Sequence, residues 1–368
     1  MADDERHRVL VIDAAPDELL PLEIDRLLEL GLDVTLNLWR VADPAAARRR
    51  YAGRLGFVEV DGFDQAAVAE AVVAGGGHDA VKTRVNVPLG EPLFRAGTAA
   101  GLARPLRVVA QAGAGTNHVD LAAASHYGIR VTHTPGSNAD AVAEFALAQL
   151  LTLSRNLAVH NSHSHRGVWR GAPAGQPRQL AELTLGVVGF GLIGRALARR
   201  ARALGMPVLA HGPRLTERQA AAHDVRRAAS LPELLAGSDV VSLHTPLTAR
   251  TRGLIGEREL ALLRPGALLL NTARGGIVDE AALARALRDP DHPLAGAALD
   301  TFADEHHAFA SPLFGIEAAL LTPHIAGMTR RAMTEAALRS AQYLAALLAG
   351  SDHEVPLANT PSSAPGSR

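Results

Sequence analysis

The sequence predicts an α/β fold of two doubly wound parallel sheets. Short apolar runs alternate with segments of helical spacing along nearly the whole chain, the signature of strand–helix–strand units. One junction reads Leu185-Gly-Val-Val-Gly189-Phe-Gly191-Leu-Ile-Gly194, an apolar run entering a glycine turn and then a helical segment. The 368 residues suffice for two domains with their own cores.

The elements follow in order. Strands are expected at 9–13, 33–38, 55–60, 79–81, 107–110 and 129–133, with a helix over 19–30. Pro135-Gly136 breaks the first unit. A long helix spans 139–153, with Val142, Phe145, Ala146, Leu150 and Leu153 near a 3.6 period. Residues 162–179 read as a connection. Strands of the second unit are expected at 185–188, 207–210, 240–243, 267–271, 297–299 and 320–322. An amphipathic helix covers 329–348. The tail at 351–368, rich in Pro, Ser and Gly, is expected to be disordered.

Composition narrows the function. With 48% apolar and 20% charged residues, the chain has a soluble globular balance. Its formal net charge of −1 creates no global field for nucleic acid or an anionic membrane. The absence of cysteine excludes disulfides, thiolate metal sites and a thiol nucleophile. No apolar run is long enough for a membrane span. The charged stretch 1–8 lacks a signal-peptide core, so the cytoplasm is the expected compartment. Among 37 Lys and Arg residues, Lys82 is the one lysine.

The motif Gly189-x-Gly191-x-x-Gly194 gives the chain a dinucleotide site. Gly189 permits the tight turn, Gly191 lets backbone approach a pyrophosphate, and Gly194 lets helix and strand pack closely. The pyrophosphate then meets the free N–H groups of the helix N-terminus.

Three later positions suggest the chemistry. Arg274 lies just after the apolar run 267–271, Asp300 to Glu305 follow 297–299, and His324 follows 320–322. Ligands in doubly wound sheets bind at the carboxyl ends of strands, so these side chains are expected to converge on the cofactor cleft. Reduction of a 2-keto acid needs such a set. An arginine fork holds the carboxylate, a histidine protonates the developing alkoxide, and a carboxylate orients the histidine. Taken singly, each residue has a plainer reading: a capping arginine, a solvated loop glutamate, a Thr-Pro-His turn. Asp304-Glu305-His306-His307 lacks a metal-binding spacing, as do His160, His163 and His165, so no metal is expected.

From about Arg107 to Arg331 the chain resembles the D-isomer-specific 2-hydroxyacid dehydrogenase family. The resemblance rests on Ala112-Gly-Ala-Gly-Thr-Asn-His-Val-Asp-Leu, Thr134-Pro-Gly-Ser-Asn-Ala-Asp-Ala-Val-Ala-Glu144, the glycine motif, Leu243-His-Thr-Pro-Leu-Thr248, Asn271-Thr-Ala-Arg-Gly-Gly-Ile-Val-Asp-Glu280, Gly296-Ala-Ala-Leu-Asp-Thr-Phe302 and Thr322-Pro-His-Ile-Ala-Gly327. It implies a Rossmann-type cofactor domain at 135–324 and a discontinuous, flavodoxin-like substrate domain at 1–134 and 325–350. It implies catalytic Arg274, with Glu305 and His324 as the proton-donating pair. Cofactor contacts are implied for Gly189, Phe190, Gly191, Leu192, Ile193, Gly194, His211, Gly212, Pro213, Arg214, His244, Thr245, Pro246, Thr272, Ala273, Asp300, His324 and Gly327, with Asp300 reaching the nicotinamide carboxamide. The substrate would meet Arg84, Arg274 and the amides of Ala112, Gly113, Ala114 and Gly115. A homodimer is implied.

Three departures bear on this. Leu180-Ala-Glu-Leu-Thr replaces the family's usual Gly-Lys-Thr before the glycine motif, changing a loop. His306 replaces a usual proline after Glu305, which suggests a more mobile loop. Gly212 stands eighteen positions after Gly194, where an acid usually binds the adenosine ribose. Arg214 then suits a 2′-phosphate, so NAD and NADP both stay open as cofactors. The substrate is a small 2-hydroxy or 2-keto acid. Lys82, Arg84, His163 and Arg166 either serve a second anionic group or are solvated loop charges. Alternatives within the resemblance are a nucleotide-sensing corepressor and a phosphite or formate dehydrogenase; Glu305, where formate dehydrogenases usually carry Gln, argues against the last.

Overall fold

The computed structural model describes residues 6–16, 18–84, 87–169, 176–305 and 309–361. The chain divides into two compact units, Met1–Asn138 with Thr329–Arg368, and Ala139–Met328.

The first unit holds β1 (Arg8–Val11), α1 (Leu19–Glu29), β2 (Asp33–Asn37), α2 (Pro44–Arg50), β3 (Gly56–Val58), α3 (Gln65–Val73), β4 (Ala80–Thr83), α4 (Glu91–Gly97), β5 (Val108–Gln111), α5 (Leu121–His126) and β6 (Arg130–Thr132). The strand order is β3-β2-β1-β4-β5-β6, all parallel. The five strands from β2 to β6 keep the flavodoxin-type order, and short β3 extends the β2 edge. Alternation splits the strands between two cores. Val9 and Val11 pack with Ile24, Leu27 and Leu36, whereas Leu10 and Ile12 pack with Val68, Leu93 and Phe94. Asp43, Asp64 and Asp120 accept backbone N–H bonds at the starts of α2, α3 and α5, which sets where those helices begin.

Lys82 corrects the expectation of a loop cation available to a ligand. It lies within β4, fully buried, and its Nζ pairs with the buried Glu23 carboxylate of α1. The pair is worth most when intact, because either charge alone in that site lacks compensation. Lys82→Met by itself is expected to cost about 3–5 kcal/mol, and adding Glu23→Met should recover most of it. Equal urea midpoints for Lys82→Met and the parent would contradict this placement.

The second unit opens with α6 (Ala139–Ser154) and α7 (Leu157–His165). It continues with β7 (Leu185–Val188), α8 (Leu192–Ala203), β8 (Val208–His211), α9 (Glu217–Ala222), β9 (Arg226–Arg227), α10 (Leu231–Gly237), β10 (Val240–Leu243), α11 (Glu257–Leu260), β11 (Ala267–Asn271), α12 (Glu280–Arg288), β12 (Leu294–Leu299) and β13 (Ala319–Leu321). The all-parallel order is β13-β12-β11-β10-β7-β8-β9. Helix α7 enters the stretch expected to be a connection; it carries His160, His163 and His165. Among described residues no cluster of three His, Cys, Asp or Glu side chains is arranged to hold a metal. None of the described helices is long and apolar enough to cross a membrane.

Helix α13 (Arg330–Leu348) returns to the first unit and buries Ala341, Leu344, Leu347 and Leu348 in its core. The expectation of a disordered tail is corrected for 351–361. Leu357 bridges Thr132 on the β6 edge, the Ala358 N–H donates to Val131 O at 2.8 Å, and Asn359 Oδ1 accepts from the Val131 N–H at 2.9 Å. A bare strand edge offers unpaired backbone groups, and this segment satisfies them despite its polar composition. Residues 362–368 lie outside the described residues.

Candidate active site

Register gathers the functional side chains of the second unit. Val188 pairs with His211 and Leu243, Leu243 with Asn271, Asn271 with Leu299, and Leu299 with Leu321. The strand ends are therefore level. Whatever follows them emerges along one edge of the sheet: Gly189, Gly212, His244, Thr272, Asp300 and Thr322. The chain reverses strand order between β7 and β10, which opens the crevice where such sheets bind ligands.

The glycine motif fits a dinucleotide. A Cβ on Gly189 would lie 2.4 Å from His244 O, and one on Gly194 2.3 Å from Gly189 O, whereas Gly191 faces open space. Gly191 caps α8 without a side-chain bond, so the first N–H groups of that helix lack a side-chain acceptor. Leu192 and Ile193 form the first turn of α8. Nearby, Thr272 Oγ1, Thr301 Oγ1 and His244 Nδ1 are buried with no hydrogen-bond partner among the described residues. Orphaned polar atoms at a strand edge suit a bound polar ligand.

Beside the glycine turn, the Phe190 ring meets His223 edge-on at 5.5 Å, and His211 Nδ1 lies 3.1 Å from Ala228 O. Gly212 has room for a side chain: a Cβ would meet Phe190 N at 3.5 Å and Gly189 Cα at 3.9 Å. Pro213 and Arg214 follow in an exposed turn, and Arg214 makes no ion pair or hydrogen bond among the described residues. Thr245 and Pro246 leave β10 after His244.

Burial pushes the His244 imidazole down to about 4, so it is neutral near pH 7. Its Nε2 lies 2.9 Å from Ser242 Oγ. The folded value falls below the ordinary 6.5, so the unfolded chain binds the proton more readily. Stability from this group is complete above pH 6.5 and declines as the pH falls toward 4. The loss is at most about 3 kcal/mol, and less because the residue is only partly buried. His244→Asn is expected to flatten the melting temperature between pH 6.5 and 4; an unaltered slope would mean that His244 does not set it.

Arg274 sits on a turn built by its neighbours. Asn271 Oδ1 accepts from the Ala273 N–H at 3.1 Å, and Asn271 Nδ2 donates to Arg274 O at 3.0 Å. Arg274 Nη1 donates to Ala273 O at 2.6 Å. Gly275 is obligatory there, since a Cβ would fall 1.7 Å from Phe302 O. Burial lowers the Arg274 guanidinium from its ordinary value, and the Glu305 carboxylate opposes that shift. Such a group stays charged at any physiological pH.

His324 Nδ1 meets Glu305 Oε2 at 2.8 Å. His324 holds a left-handed backbone, φ 54°, which a non-glycine residue keeps only when its surroundings enforce it. Asp300 does that. Its fully buried carboxylate accepts from Thr322 Oγ1 at 2.7 Å, Ile325 N at 2.9 Å and Ala326 N at 2.8 Å, and its carbonyl takes the His324 N–H. These bonds occupy three of about four acceptor sites. Asp300 thereby braces the His324 turn, a role the sequence did not indicate. Gly327 lies at the end of that turn.

The sequence did not single out Glu280. On α12, it accepts from the Ala303 N–H at 2.7 Å and from Ser311 Oγ at 2.6 Å, tying both ends of the stretch that carries Glu305. His306 and His307 lie outside the described residues. Glu280 closes the quoted Asn271–Glu280 motif, the one signal that pointed to it.

In the first unit, strand ends are again level, and Asp13, Arg84 and Gly113–Gly115 emerge together beside the β1–β4 reversal. The expected role of the Ala112 amide is corrected: it donates to Thr83 O at 2.8 Å, extending the β4–β5 ladder by one residue. The amides of Gly113, Ala114 and Gly115 have no acceptor among the described residues. Arg84 Nη1 is buried with no hydrogen-bond partner among the described residues.

Comparison with known proteins agrees with this geometry. Residues 147–326 match the model of the D-isomer specific 2-hydroxyacid dehydrogenase NAD binding domain. The chain is 46% identical over 225 residues to an (S)-sulfolactate dehydrogenase of Chromohalobacter salexigens, covering 61% of this chain and 72% of that one. It is 38% identical over 251 residues to a glyoxylate reductase of Thermococcus litoralis, covering 67% and 75%. Its fold is similar to that of a D-lactate dehydrogenase from Aquifex aeolicus complexed with NAD and lactic acid, with a TM-score of 0.76 at 25% identity over 97% of this chain and 100% of that one. With level strand ends, a dinucleotide turn and relatives of this similarity, the chain belongs to the D-isomer-specific 2-hydroxyacid dehydrogenase family, and 147–326 contain its NAD-binding domain.

Proposed function

We propose that the protein interconverts a D-2-hydroxy acid and its 2-keto acid, with Arg274 holding the substrate carboxylate and His324 moving the proton. The observation that carries this reading is the 2.8 Å contact between His324 Nδ1 and Glu305 Oε2. It leaves Nε2 as the atom for proton transfer and fixes the ring's tautomer. The bound nicotinamide supplies or accepts the hydride. In the reducing direction, the Arg274 fork grips the carboxylate and draws charge toward the carbonyl oxygen. His324 Nε2 gives that oxygen its proton, and Glu305 holds the ring through Nδ1. In the oxidising direction, the same nitrogen takes the hydroxyl proton. Arg84 and the Gly113–Gly115 amides grip the rest of the substrate. Stopped-flow turnover of glyoxylate, pyruvate, hydroxypyruvate, sulfopyruvate and phosphohydroxypyruvate with each reduced cofactor tests the reading; no turnover of any 2-keto acid would overturn it.

Cofactor use is proposed to include NADPH at least as readily as NADH. Gly212 leaves no carboxylate to repel a 2′-phosphate, and exposed Arg214 is available to pair with it. Gly212→Asp, which the local space admits, is expected to move preference strongly to NADH. Arg214→Ala is expected to weaken NADPH alone by about tenfold. The check is kcat/KM for both cofactors; an NADH advantage above about 100-fold in the parent, unmoved by Arg214→Ala, would refute the assignment. The assembly is proposed to be a homodimer, to be checked by sedimentation velocity.

A further inference from the structure

We propose that Glu23 is a positioning residue for Arg84, acting through the loop after β1. The inference rests on the reading of Arg84 as a substrate contact. Glu23 belongs to α1 and is completely buried, an unusual place for a carboxylate. Its two oxygens do different work. Oε1 takes the charge of Lys82, the chain's one lysine, from within β4. Oε2 accepts from the Ala15 N–H at 2.7 Å, in the loop that leaves β1. That loop carries Asp13, nearly buried, whose Oδ1 accepts from the Arg84 N–H at 2.7 Å. Gln111 Nε2 donates to Arg84 O at 3.0 Å from the other side. The Arg84 peptide is thus held at both ends by side chains.

The chain of contacts runs from Lys82 and Glu23 to Ala15, through the loop to Asp13, and so to Arg84. It spans the carboxyl ends of β1 and β4, where the first sheet reverses its order. A flexible arginine beside a strand end has many rotamers and a movable backbone. Fixing its peptide on both sides aims a cation whose Nη1 is buried without a partner among the described residues. A buried ion pair is a poor source of net stability, but it pins two elements in one arrangement. Here those elements are α1 and β4, and the loop between β1 and α1 is carried with them.

The test separates the charge from the hydrogen bond. Glu23→Met with Lys82→Met removes both charges and the Ala15 acceptor. Glu23→Gln with Lys82→Met removes the charges and keeps an oxygen for Ala15. The first pair is expected to raise KM for the preferred 2-keto acid about tenfold while kcat changes less than about threefold. The second is expected to restore KM to near the parent value. Asp13→Ala, which leaves the ion pair intact, is expected to raise KM as the first pair does. In an Arg84→Ala background none of these changes should raise KM further, because the group they aim is gone. A parent-like KM in both Glu23→Met/Lys82→Met and Asp13→Ala, with KM raised by Arg84→Ala, overturns the positioning role alone. An equal rise with and without Arg84 also overturns it. If Arg84→Ala itself leaves KM unaltered for every 2-keto acid, the reading of Arg84 fails, and the proposal with it.

Discussion

Replacing His324 with alanine is expected to lower turnover by roughly 10²–10⁴-fold while cofactor affinity stays within about threefold. The expectation follows from the proposed role and from how the residue is held. The His324 N–H donates to Asp300 O at 2.8 Å, its backbone is left-handed, and its ring is set by Glu305. Alanine removes the proton carrier but keeps the backbone bond, so the dinucleotide turn at Gly189–Gly194 should be undisturbed. Glu305→Gln tests the partner separately. An amide can still hydrogen-bond to the ring, but it carries no charge and can favour the wrong tautomer, so turnover should fall by about 10²-fold or more. Single-turnover rates with fluorescence-monitored cofactor binding measure both quantities. A variant at His324 that loses cofactor binding but keeps normal turnover when saturated would remove the assignment. Asp300→Asn is a third probe of the same turn. It keeps one acceptor oxygen and is expected to cost stability as well as turnover, because a buried carboxylate serving three donors is replaced by a group that can serve fewer.

Arg274→Lys is expected to lower kcat/KM by roughly 10²–10³-fold although the charge is kept. Lysine offers a single rotatable ammonium where the carboxylate and carbonyl need a planar fork. The turn that presents Arg274 is made by Asn271 and Gly275, not by Arg274 itself, so the fold should survive the exchange. Arg274→Met is expected to lose activity while the fold is retained, since the turn is held by Asn271 and Gly275. Activity lost with stability kept or gained would mark a residue maintained for chemistry. A lysine variant with near-normal kcat/KM would contradict the carboxylate-binding role, and a large drop in melting temperature for Arg274→Met would show that the residue holds the fold.

What the sequence by itself determined was the periodic and the local. Alternating apolar runs and helical segments require no knowledge of distant partners, so most strands and the order of both units were legible. The glycine motif was legible for the same reason: Gly189 and Gly194 meet backbone within the turn or at the adjoining strand end, and Gly191 keeps the approach to the helix start open. Arg274, Glu305 and His324 were legible as residues that follow strands. Tertiary structure decided the rest, and each case turned on a partner far away in sequence. Lys82 reads as a loop cation until Glu23, 59 positions earlier, is brought against it. That Asp300 braces the His324 turn is not visible until the Thr322–Ala326 segment folds onto its carboxylate. The Ala112 amide reads as free until Thr83 takes it. The segment 351–361 reads as disordered until the β6 edge, more than two hundred residues upstream, supplies its hydrogen bonds. A polar group is judged by whether its hydrogen bonds and charge are met, and a linear sequence does not say who will meet them.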